Sequence, residues 1–168
     1  MIDITKLDST KTYVGLEIGQ DLISKTIQNL EHKVYKNIPA KKLASHAFAI
    51  YNGNVYQAHE KFGGTHKYSI DDYNKDNTKN PILIYEYPLN INRLEYYINF
   101  NPGYSILQLA DDSITRLTGL KTKDAPGVVC SEYINLCFEK FDMNYKMKFE
   151  TALCTPADLQ VFLGGLNG

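Results

Sequence analysis

Apolar residues recur at Ile23, Ile27, Leu30 and Val34, the spacing of one face of a helix, and Asp21 stands where its side chain can cap the first turn. That helix is expected to end before Asn37-Ile38-Pro39. The period then changes to two. His46-Ala-Phe-Ala-Ile-Tyr51 and Asn54-Val-Tyr-Gln-Ala-His59 flank Asn52-Gly53, the pattern of a β-hairpin closed by a type I′ turn. Tyr68 to Tyr73 reads as a short strand and Asn74 to Asn80 as a loop, and the β-rich run Ile82 to Tyr87 stops at Pro88. Beyond it the pattern is mainly helical: Ile91 to Ile98, then Ser105 to Thr118 with Ser105 and Gln108 as a capping box, then a helix beginning near Cys130 and patterned through Phe141. Gly103, Gly119 and Gly127 punctuate these segments. Thr155-Pro156-Ala157-Asp158 sets a cap, a proline at the first helical position and an acid in the first turn of a short closing helix. A helix, several antiparallel strands and helices again make an α+β arrangement.

Composition narrows the function classes. The 168 residues fit one domain, with no repeat or linker to divide it. With 18 Lys and Arg against 19 Asp and Glu, a net charge of -1, nothing favours nucleic acid or an acidic membrane surface. No apolar run has the length of a membrane span, so stable membrane insertion is not expected. The start lacks a basic segment leading into an apolar one, so a cytoplasmic location is expected; a cell-wall substrate would then require a phage-encoded or non-classically released enzyme. Cys130, Cys137 and Cys154 are odd in number and contain no CxxC pair, which argues against a disulfide framework or a zinc ribbon.

The hairpin carries the first candidate chemistry. With a two-residue turn, Tyr51 faces Asn54, Phe48 faces Gln57 and His46 faces His59. His46, Phe48 and Ile50 then share a sheet face with Val55, Gln57 and His59. His59 is directly opposite His46 and Gln57 is diagonal to it, so either can hold the imidazole, as a general base requires. The competing reading makes these residues solvated positions of an edge strand. Cys130 is the second candidate, because a thiol at a helix N-terminus is drawn toward thiolate by unpaired N–H groups and the helix dipole. Against this, Cys130, Ile134, Cys137 and Phe141 share one helical face, as core residues would. Cys137 and Cys154 are assigned to the core.

Gly19-Gln-Asp-Leu-Ile23 resembles a Gly-Asp-Ile-type strand entry, Ser45-His46-Ala-Phe-Ala-Ile50 a Ser-His-Val-Gly-Ile block, and Val129-Cys130-Ser131-Glu132-Tyr133 a Tyr-Cys-Ser-Glu-Leu block. With Thr155-Pro156-Ala-Asp158-Leu159 downstream, this order resembles the circularly permuted papain-like cysteine hydrolases of the NlpC-like superfamily, the YiiX type, relatives of lecithin retinol acyltransferase. The resemblance runs from Gly15 to about Leu163. It implies a permuted papain-like fold in which an antiparallel sheet carrying the histidine packs on a helix carrying the cysteine. It also implies Cys130 as nucleophile, His46 as base and Gln57 in the third polar place, where family members often have Glu or His. Gly103-Tyr104 is similar to a Gly-x-x-Tyr segment, which makes the Tyr104 hydroxyl a candidate oxyanion donor, with His59 beside the cleft.

The activity implied is a thiol hydrolase, a cysteine peptidase or amidase, that cleaves an amide through a Cys130 acyl-enzyme and needs no cofactor. Peptide, peptidoglycan-peptide and lipid-amide substrates all belong to the resemblance. The alternatives are an acyltransferase of the lecithin retinol acyltransferase type and an inactive binding module on the same scaffold. A metal site from His46, His59 and Cys130 ranks below these, because no ligand pair has the usual short spacing.

Overall fold

The computed structural model describes residues 3–76, 80–105, 127–138 and 154–166. A five-stranded antiparallel sheet organises the chain, built from β1 (Thr12–Glu17), β2 (His46–Tyr51), β3 (Asn54–His59), β4 (Gly64–Ser69) and β5 (Ile82–Glu86) in the order β4-β3-β2-β1-β5. The helices among the described residues are α1 (Leu22–His32), α2 (Ile70–Asp76), α3 (Ile91–Phe100), α4 (Cys130–Leu136) and α5 (Pro156–Leu166). The architecture is mixed α+β. No helix among the described residues is long and apolar enough to cross a membrane.

Alternation along the strands builds two cores. Val14, Leu16, Ala47, Ala49, Tyr56 and Ala58 pack against Tyr133 and Ile134 of α4 and Leu159 and Leu163 of α5. On the opposite face Tyr13, Phe48, Ile50 and Val55 pack with Ile70 and Tyr73 of α2. With both faces covered, β1 lacks the polar alternation that betrays a half-buried strand, which is why the sequence pattern does not mark it. Gly15 at its centre is needed for space: a Cβ there would lie 2.2 Å from the Phe48 ring across the β1–β2 pair.

Several local expectations change. Asn52 and Gly53 have φ of 46° and 71°, the left-handed pair of a type I′ turn. The segment read as a strand from Tyr68 to Tyr73 divides at Ser69, because the Ser69 hydroxyl accepts from the Asp72 N–H (3.1 Å) and donates to the Asp72 carboxylate (2.7 Å), capping α2. The third helix runs two residues past Ile98. The Cys130 helix stops at Leu136, and Phe138 bridges to Leu89 instead of continuing it. The expected helix from Ser105 to Thr118 lies outside the described residues apart from Ser105. At α5, the Thr155 N–H donates to the Asp158 carboxylate (2.9 Å) and the Asp158 N–H to the Thr155 hydroxyl (3.3 Å), a reciprocal cap.

The larger departure is at α1. Asp21 caps it, accepting from the Ser24 N–H at 2.9 Å. Of the apolar positions that revealed the helix, Ile27 and Leu30 are only half-buried and Val34 and Ile23 are exposed, Ile23 to 59%, as is the neighbouring Leu22 at 81%. The buried side carries Gln28 and Glu31, and α1 is fastened by polar contacts: the Gln28 amide donates to the Gly19 carbonyl at 3.1 Å and the Thr155 hydroxyl to Glu31 at 3.0 Å.

Candidate active site

The β2–β3 ladder pairs Tyr51 with Asn54, Ile50 with Val55 and Ala49 with Tyr56, and then stops. Beyond Ala49 each strand continues with its other neighbour, β2 along β1 to His46 and β3 along β4 to His59. The expected ladder pairs Phe48–Gln57 and His46–His59 are therefore not formed, although the residues stay on one side of the sheet. β2 and β3 are interior strands, so neither histidine sits on a solvated edge.

Where the two strands part, α4 delivers Cys130. Its Sγ receives the backbone N–H of Ala47, released from the ladder, and that of Ser131 in the first turn of the helix. Cys130 is 2% exposed, and α4 is anchored beneath by the Ser131 hydroxyl donating to the Cys154 carbonyl at 2.6 Å. Burial disfavours a thiolate, but the His46 charge, a hydrogen bond with His46 and these two N–H groups outweigh it and bring the thiol below its ordinary pKa.

His46 is held from the side. Its Nε2 donates to Gln57 Oε1 at 2.7 Å, and Gln57 Nε2 donates in turn to the Tyr68 hydroxyl at 2.9 Å. With Nε2 engaged, Nδ1 is the nitrogen left for Cys130. Burial works against a charge on this ring, but the Cys130 thiolate, the hydrogen bond to it, the Glu17 carboxylate and Gln57 together lift the pKa to about 9.

His59 does not hold His46. The two rings meet edge to face at 5.1 Å between centroids, and His59 Nδ1 accepts the Lys61 N–H at 3.0 Å, capping a 3₁₀ turn at Glu60–Phe62. Burial, the His46 charge and the Lys61 ammonium push its pKa down to about 4. Tyr104, bridged to Val128 just before α4, stacks on His59 at 6.5 Å. Its hydroxyl contacts Cys130, and burial followed by the thiolate charge raises its pKa.

His46, His59 and Tyr104 border an open cleft of about 370 Å³ whose walls also include Glu17, Ile23 and Ser45; Cys130 and Gln57, each 2% exposed, contact these residues from outside its lining. All five residues singled out from the sequence, Cys130, His46, Gln57, Tyr104 and His59, therefore meet at one place. Cys137 and Cys154 lie buried elsewhere in the core, and burial pushes the Cys137 thiol up to about 12. His32 and His66 stand apart from the site and are half-buried: His32 Nδ1 lies 2.9 Å from the Ile38 carbonyl, and His66 stacks on Phe62. Among the described residues no group of three His, Cys, Asp or Glu side chains is arranged to hold a metal ion.

The pattern did not single out three contributors: the Ala47 N–H, the Tyr68 hydroxyl and Glu17. The first follows from where a ladder stops, which side-chain pattern does not encode. Glu17 had a signal, a lone carboxylate inside the otherwise apolar run Tyr13 to Ile18. Comparison with protein-family models, curated proteins and solved structures found no match to this chain.

Proposed function

We propose that the protein is a cysteine hydrolase acting on an amide bond, with Cys130 as nucleophile, His46 as its acid–base partner and Gln57 as the residue that orients His46. The observation carrying this reading is the pairing of a thiol whose pKa is lowered with a cleft-lining imidazole whose pKa is raised and whose other nitrogen is held by an amide 2.7 Å away. Shifts in these directions favour the thiolate–imidazolium pair over the neutral thiol and imidazole.

The chemistry follows from that pair. The Cys130 thiolate attacks the substrate carbonyl, the C–N bond breaks, and the His46 imidazolium gives its proton to the departing amine. The now neutral imidazole takes a proton from water, the resulting hydroxide attacks the thioester, and the C–S bond breaks to release the acid and restore the pair. The Tyr104 hydroxyl stands beside Cys130 as a donor for the transient oxyanion. We read the scaffold as permuted papain-like, supported by the order of a histidine on a strand before a cysteine at a helix start, and by α4 packing on the antiparallel sheet.

Limited alkylation with iodoacetamide at pH 7 followed by peptide mapping tests the reading. Cys130 should react at least roughly ten times faster than Cys137 or Cys154, because its thiol is drawn toward thiolate while the other two lie buried in the core. Equal labelling of the three, or labelling only after denaturation, would return Cys130 to the core and remove the hydrolase.

A further inference from the structure

We propose that Glu17 is the anionic positioning residue of this site, supplying to protonated His46 the negative charge that the neutral Gln57 cannot; the inference rests on the thiol-hydrolase reading of the same cleft. Glu17 ends β1 and His46 begins β2, and the two are directly paired across the strands, so their side chains leave the same face of the sheet. Both line the cleft. Glu17 is only 7% exposed, so solvent and salt screen its field weakly. Two donors fix it in place, the Tyr73 hydroxyl at 3.1 Å and Asn80 Nδ2 at 2.5 Å.

The other groups around His46 do not fill this role. From α4, Cys130 is the reacting partner itself. From β3, Gln57 is neutral, and His59 when protonated would repel. Tyr104 is an uncharged hydroxyl in the cleft wall. Asp21 is committed to capping α1 through the Ser24 N–H at 2.9 Å and hydroxyl at 2.6 Å, and Glu60 is exposed to solvent. The carboxylate and the hydrogen-bonding amide of a three-residue catalytic unit are here divided between two strands, β1 and β3, on either side of the histidine.

An NMR titration of the imidazole C–H resonances tests this, with the His46 signal among the four histidines assigned by its loss in His46→Ala. In the wild type the His46 midpoint should lie near 9. In Glu17→Gln it should fall by about one pH unit or more, as expected for loss of a weakly screened charge on the cross-strand neighbour. Glu17→Asp should recover part of the shift. The acid limb of Cys130 alkylation should not move upward, since that step forms the thiolate beside an imidazolium still present.

If Glu17→Gln does not fold, Tyr73→Phe and Asn80→Ala, which loosen the carboxylate, should shift the midpoint the same way by a smaller amount. A Glu17→Gln protein of lower melting temperature but unchanged His46 midpoint would make Glu17 structural and overturn the proposal, as would unmoved midpoints in both loosened variants. An alkylation profile unaffected by His46→Ala is a different failure. It would remove the Cys130–His46 pair itself, and the role of Glu17 with it.

Discussion

His46 Nε2 lies 2.7 Å from Gln57 Oε1, across the place where the β2–β3 ladder has already ended. The contact is made by side chains alone, spanning a gap that backbone pairing leaves open to receive Cys130. It sets the tautomer as well as the ring orientation: an amide oxygen only accepts, so Nε2 must carry a proton. The Tyr68 hydroxyl accepts from the Gln57 amide at 2.9 Å and ties it to β4.

Gln57→Ala should therefore lower kcat by roughly ten- to a hundredfold, a part of the 10²–10⁴ that a well-placed acid–base group contributes, with little change in substrate binding. Gln57→Glu should retain activity, because Glu accepts the same hydrogen bond and the Tyr68 hydroxyl can rotate from acceptor to donor. The added anion should also raise the His46 midpoint. His59→Ala should cost less, since His59 makes ring contact with His46 but no hydrogen bond to it. Steady-state kinetics on the three variants checks the order, and a His59→Ala loss greater than that of Gln57→Ala would rewrite the site with His59 as the orienting group.

His59 makes a separate prediction about acid stability. Its pKa falls from 6.5 to about 4 on folding, so the neutral ring is the form the folded state prefers. A group depressed in this way contributes stability that is present above its unfolded value and lost as pH falls through the folded one. Stability should therefore decline between about pH 6.5 and pH 4, and His59→Asn should flatten that decline while its side-chain oxygen still accepts the Lys61 N–H. Urea midpoints at pH 7 and pH 5 measure it. In this window His46, raised to about 9, contributes no slope, because its stabilisation is complete below 6.5 and is lost only toward high pH. Parallel wild-type and variant profiles would show that the His59 ring is not the group responsible.

What the sequence pattern made legible was local. The Asn52-Gly53 turn fixed which residues share a face with His46, and Asp21, Thr155 and the Cys130 segment announced their helices through caps and period. What it concealed depends on contacts between distant segments. β1 is covered on both faces and so carries no alternation, and the opening of the β2–β3 ladder depends on α4, which lies more than seventy residues further along the chain. Ser69-Ile-Asp-Asp72 was a readable cap that the β-rich surroundings outweighed. At α1 the period revealed the helix but not which side is buried, because periodicity reports that two faces differ and not which of them finds a partner.

How α1 is held can be measured. If α1 is held by its polar side, Leu22→Ser and Ile23→Ser should change stability by about 0.5 kcal/mol or less, the range of surface substitutions, since Leu22 is 81% and Ile23 59% exposed. Gln28→Ala should cost about 1–3 kcal/mol, because it strips the buried Gly19 carbonyl of the donor 3.1 Å away and nothing of the right shape replaces it. Gln28→Glu should cost at least as much, as a carboxylate cannot donate to that carbonyl and its charge would be buried. The ordering is the reverse of what the hydrophobic pattern alone would give. Denaturant unfolding of the four variants decides it: a large loss from Leu22→Ser or Ile23→Ser with a silent Gln28→Ala would mean that the apolar face of α1 is the packed one.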